Sequence, residues 1–88
     1  MQHPSVIIPL CNLPLHHPAI IIDLATEEEL KEKLQTLGFL PGTPILCIGT
    51  GPQGSPRAYC IRGCVIALRQ KDSKTIMVRE VNEIAKRL

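Results

Sequence analysis

Apolar runs too short for helices, each cut off by glycine, proline or a polar pair, set the pattern of this chain. Ile20-Ile21-Ile22 sits between Ala19 and Leu24, Ile45-Leu46-Cys47-Ile48 stands alone, and the runs 57–61 and 64–68 flank Arg62-Gly63. A last run covers Thr75 to Val78. Bounded by turn residues and rich in Ile, Val and Leu, these runs predict strands. Glycine supplies positive φ and proline fixes φ, so Pro41-Gly42, the 49–56 loop and Arg62-Gly63 read as tight turns. The clearest change of period comes after Ala25. Thr26 followed by Glu29 predicts a capping box, and Glu27, Glu28 and Glu29 suit the positive end of a helix. Leu30, Leu34 and Leu37 form an apolar stripe, Glu27/Lys31 and Glu29/Lys33 are spaced to pair, and Gly38 is placed to end the helix. The pattern predicts a mainly β fold, a small barrel of about five strands with one short helix before the Gly38-Phe39-Leu40-Pro41-Gly42 turn. Val81, Ile84, Ala85 and Leu88 recur at helical spacing in a tail too short to hold a helix undocked.

Composition sharpens this. At 88 residues the chain is one small domain, and with 44% apolar residues but only Phe39 and Tyr59 aromatic its core is built from Ile, Leu and Val. Residues 1–18 hold four prolines, three histidines and no acidic, lysine or arginine side chain, which predicts a loose Pro-rich arm ahead of a barrel at 19–81 and a tail at 82–88. A net charge of +2 is too weak to imply nucleic acid or an anionic membrane, and two aromatics leave little for base stacking. No apolar run approaches the ~20 residues of a membrane span, and Val6-Ile7-Ile8-Pro9-Leu10 is a poor signal peptide. The expectation is a soluble, intracellular chain whose four cysteines are reduced.

The candidate chemistry is thin. A two-residue hairpin at Arg62-Gly63 sets Ile61 opposite Cys64, Cys60 opposite Val65 and Tyr59 opposite Ile66. Cys60 and Cys64 then lie on opposite faces and cannot share an ion, and Cys47 and Cys64 read as core residues. His3, Cys11, His16 and His17 could gather a soft metal only if the arm were organised. No histidine lies in the barrel to activate a thiol, and the Gly51-Pro52-Gln53-Gly54 loop lacks the lysine and helix of a phosphate cradle. No catalytic residue, metal site or cofactor is expected. Gly38, Pro41, Gly42, Gly54, Pro56, Gly63 and Leu68 read as structural. Function is left to the surface: Phe39 and Leu40 either cap the barrel or anchor a partner, and Arg57, Arg62 and Arg69 are either a rim for an acidic partner or solvated charges.

Leu37-Gly38-Phe39-Leu40-Pro41-Gly42-Thr43, Gly54-Ser55-Pro56 and Ile61-Arg62-Gly63 with Ile66-Ala67-Leu68-Arg69, in that order after a leucine-striped helix, resemble the ferrous iron transport protein A family, FeoA. The likeness runs from about Ala19 to Val81 and departs at His16-His17-Pro18, where the family usually carries a glycine. It implies an SH3-like barrel with a cytoplasmic, non-enzymatic accessory role in bacterial ferrous iron uptake. The partner it implies is the cytoplasmic part of the permease FeoB. A metal-responsive SH3-like regulatory domain, as in iron-dependent repressors, and a small metal carrier using the N-terminal Cys and His are the alternatives. No helix-turn-helix segment supports the former.

Overall fold

A computed structural model of the chain describes residues 6–81. Six strands, β1 (Ile7–Pro9), β2 (Pro18–Leu24), β3 (Pro44–Thr50), β4 (Arg57–Ile61), β5 (Cys64–Leu68) and β6 (Ile76–Glu80), form one antiparallel sheet in the order β1-β6-β2-β3-β4-β5. Helix α1 (Glu28–Thr36) joins β2 to β3, and a single turn, α2 (Gln70–Ser73), joins β5 to β6. The mainly β architecture with its helix before the Gly38–Gly42 turn is as the pattern predicts. The sheet is curled but not hydrogen-bonded shut, because β1 and β5 remain its two edges. Inward residues Ile21, Ile45, Tyr59, Ile61, Ile76 and Val78 make most of the core.

The N-terminal segment departs from expectation. Instead of a loose arm, Ile7–Pro9 pairs with β6, and Leu10 and Leu13 are fully buried. Four prolines do bar a helix, but they leave room for a three-residue edge strand and a 3₁₀ turn at Leu10–Asn12. The segment is then latched: Arg57 Nη1 donates to the Cys11 carbonyl at 2.7 Å and the Tyr59 hydroxyl donates to the Leu10 carbonyl at 3.4 Å. The predicted boundary at residue 18 therefore falls inside the folded unit. The tail at 82–88 and residues 1–5, including His3, lie outside the described residues.

Helix α1 also differs in detail. Its N-cap is Glu27 with no side-chain cap hydrogen bond, so the Thr26–Glu29 capping box does not form. Nor does either Glu–Lys pair close to an ion pair; among the described residues the ion pair present joins His17 to Glu80. Its C-terminus follows the glycine rule closely. Gly38, at φ +108°, donates to the Gln35 carbonyl at 3.0 Å, and the Phe39 N–H donates to the Leu34 carbonyl at 2.9 Å. These two bonds make a Schellman motif, which turns the chain so that Leu34 and Phe39 enter the same core cluster. Of the leucine stripe, Leu34 is buried, Leu30 packs at the core margin and Leu37 is exposed.

Candidate docking surface

The Schellman turn settles the two apolar residues that follow Gly38. Phe39 has no exposure, whereas Leu40 is 42% exposed. Phe39 is thus a core residue and not a surface anchor, because the turn that ends α1 drives it inward. The same turn is stitched to β2, with Gly42 donating to the Ile21 carbonyl at 2.7 Å and Ile21 donating to the Thr43 carbonyl at 3.0 Å. Gly42 sits at φ +92°, a conformation that suits glycine. Leu37 and Leu40 are left as exposed apolar side chains on either side of Gly38.

The hairpin forms as predicted, with Ile61 opposite Cys64, Cys60 opposite Val65 and Tyr59 opposite Ile66. Arg62 and Gly63 take φ values of 51° and 80° at its tip. Arg62 folds back toward α1: its Cδ lies 2.5 Å from where a β-carbon on Gly38 would sit. A side chain at position 38 would displace it, and its charge approaches the negative end of the helix.

The three arginines do not form one rim. Arg57 is half-buried and committed to the Cys11 carbonyl. Arg62 and Arg69 are both exposed and stand at the two ends of β5. Gly54 and Pro56 lie in the β3–β4 loop, Pro41 in the turn after α1, and Leu68 in the core.

A surface that the motif blocks did not single out emerges from the register. Pro18 is opposite Leu46, Leu46 opposite Cys60, and Cys60 opposite Val65, so these four form one row across β2, β3, β4 and β5. Their chain neighbours Ala19, Ile45, Cys47, Tyr59 and Ile61 are buried, which puts the row on the outer face. Ala58 and Ala67 form the adjacent row, and Ile48 projects from a bulge between Cys47 and Gly49. None of these outer positions on β3, β4 and β5 carries a charge. Val65 is 64% exposed. The signal was present in Ile45-Leu46-Cys47-Ile48 and in 64–68, which are apolar at every position; a strand with one solvated face should alternate.

The remaining candidates are dispersed. Cys47 is buried and its thiol faces the Gly49 carbonyl at 3.6 Å. Cys64 is exposed, contrary to its reading as core, because it lies on an edge strand next to the turn. Cys60 is half-buried on the outer face. His17 Nδ1 lies 3.2 Å from Glu80 Oε2, and among the described residues no three His, Cys, Asp or Glu side chains gather as a metal site. Burial pushes the Tyr59 phenol above its usual value of 10.0, with an opposing pull from Ser73. A cleft of about 420 Å³ lies between the N-terminal segment and the β3–β4 loop, lined by Cys11, Asn12, Gln53, Arg57 and Gln70 among others. Among the described residues no histidine or carboxylate lines it to activate the Cys11 thiol. No described helix is long and apolar enough to cross a membrane.

The FeoA domain model matches residues 8–80, which includes the N-terminal segment from Ile8 onward. Among solved structures, iron(II) transport protein A from Clostridium thermocellum is 35% identical with a TM-score of 0.80, over 84% of this chain and 46% of that one. A FeoA-like protein from Clostridium acetobutylicum is 27% identical with a TM-score of 0.78, over 93% of both chains. FeoA from Stenotrophomonas maltophilia, described as a prokaryotic SH3 domain protein in complex with zinc, is 28% identical with a TM-score of 0.67, over 86% of this chain and 89% of that one. No protein with a curated description matches the chain.

Proposed function

The chain belongs to the FeoA domain family, which is linked to ferrous iron transport, and on that premise we propose that it acts by contact alone. It is a non-enzymatic accessory protein that docks on the cytoplasmic part of the ferrous iron permease FeoB and modulates it. The observation that carries this reading is the uncharged outer face of β3, β4 and β5 around Leu46, Ile48, Cys60, Val65 and Ala67. Apolar area held in water is recovered at roughly 25 cal/mol per Å² when a partner covers it. A contiguous apolar face of this kind is a common mark of an interface. Leu37, Leu40 and Arg62 extend the exposed surface beside the end of α1.

The metal-carrier alternative has less support, since His17 is engaged by Glu80 and Cys11 lines the cleft. Among the three relatives described above, zinc is named for the Stenotrophomonas protein. The test is capture of the cytoplasmic part of the permease by the full chain, with and without guanine nucleotide. Wild type is expected to retain it, and Val65→Asp to lose it with an unchanged melting temperature. Retention by both proteins would remove the outer face from the account.

A further inference from the structure

Strand β5 is an edge that lacks the usual protections. Ile61 and Cys64 flank a two-residue turn and are therefore a hydrogen-bonded pair. Alternation along the ladder turns the N–H and C=O of Val65 and Ala67 away from β4. Among the described residues β5 pairs with β4 alone, and no other main-chain hydrogen bond reaches 64–68. The strand contains no proline, glycine or charge, and its register with β4 is unbroken. By contrast the other edge, β1, is three residues long and contains Pro9. Charge supplies the second clue. No acidic residue occurs between Glu32 and Asp72, so β3, β4 and β5 carry only neutral and basic side chains. Arg62 and Arg69, exposed and outside any ion pair among the described residues, bracket β5.

We propose that β5 accepts, by strand addition, an extended segment of a partner protein with an apolar centre and acidic ends. Val65 and Ala67 supply the main-chain hydrogen bonds, and Arg62 and Arg69 pair with the acids. A side chain opposite Val65 would extend the row Pro18–Leu46–Cys60–Val65 by one strand. The proposal rests on the reading of this face as the docking surface and specifies the element that docks. A second copy of the chain fits less well. An antiparallel β5 centred on Ile66 would bring Arg62 of one copy beside Arg69 of the other at both ends, with no acid on either paired strand to offset them.

The probes are two synthetic peptides of alternating valine and threonine, one with two aspartates at each end and one with two lysines. Each is titrated into the isotopically labelled full chain while amide signals and exchange are followed. The aspartate-ended peptide is expected to shift and protect Val65 and Ala67 and to bind at least about tenfold more tightly than its twin. Ala67→Pro removes an N–H that the β4 ladder does not use and is expected to abolish binding while core signals persist. Should that variant unfold, the double change Arg62→Glu with Arg69→Glu decides, since it is expected to reverse the preference. Equal affinity, no shift up to about 1 mM, or shifts confined elsewhere would overturn the proposal. So would protection of Val65 and Ala67 on concentrating the protein alone, which would make a second copy the occupant. If Val65→Asp prevents capture of the permease fragment and Ala67→Pro does not, the docking face stands and strand addition falls. If neither change matters, the docking face itself falls.

Discussion

Replacing Phe39 by alanine should separate the core from the surface at the Gly38–Gly42 turn. Phe39 has no exposure and shares a cluster with Leu34, to which the Schellman bond at 2.9 Å already ties its backbone. Deleting a fully buried phenylalanine costs about 3–5 kcal/mol, from lost transfer energy and the cavity left behind. A domain of this size holds roughly 5–13 kcal/mol in all, so a large share of its stability would go. At about 4–8 °C per kcal/mol the melting temperature should fall by more than about 12 °C. Leu40, one residue on and 42% exposed, sets the contrast. Leu40→Asp should change stability by less than about 1 kcal/mol while weakening capture of the partner. Thermal and urea unfolding of both variants, followed by circular dichroism, gives the answer. A Phe39→Ala protein that melts within about 2 °C of wild type would refute the assignment of Phe39 to the core.

Three further outcomes are expected. Arg57→Ala removes the half-buried bond to the Cys11 carbonyl; it should cost about 1–2 kcal/mol and speed amide exchange in residues 7–13 more than in β3. Tyr59 is the one tyrosine, so tyrosinate absorbance reports it alone. Its phenol should ionise above 10.0, and because the folded value is raised, its contribution to stability is intact below pH 10.0 and lost as pH rises through the folded value. Tyr59→Phe should remove that alkaline component while costing about 1 kcal/mol through the bond to Leu10. Finally, a thiol reagent should label Cys64 in the native protein, whereas Cys47 should react only on unfolding, as mass spectrometry of labelled peptides would show.

The turns were the readable part of the chain. Gly38, Gly42 and Gly63 all sit at positive φ, and Arg62-Gly63 fixes the β4–β5 register, because such turns are chosen by local backbone sterics. What depended on distant partners was less accessible. Ile7–Pro9 became a strand only because β6, some 70 residues on, offers it an edge, and Leu10 and Leu13 are buried because the sheet needed filling there. The Thr26–Glu29 spacing fitted a capping box, yet α1 starts one residue later than that box requires. For the candidate site, Leu40, Arg62 and Arg69 were named and are exposed, while Phe39 and Arg57 were named and are spoken for by the fold. The outer row of Leu46, Cys60 and Val65 needed a register before it could be seen, although the failure of 45–48 and 64–68 to alternate, and the acid-free span from 33 to 71, were its traces in the sequence.

On the proposed function, this protein works by presenting the outer face of β3, β4 and β5 to the permease. Amide-resolved hydrogen exchange of the full chain, with and without the cytoplasmic part of the permease, tests it most directly. New protection centred on Val65 and Ala67, extending to Leu46 and Cys60, is expected, together with its disappearance in Val65→Asp. A complex that protects only the N-terminal segment or the cleft around Cys11 and Gln53, leaving β5 exchanging as in the free protein, would contradict it.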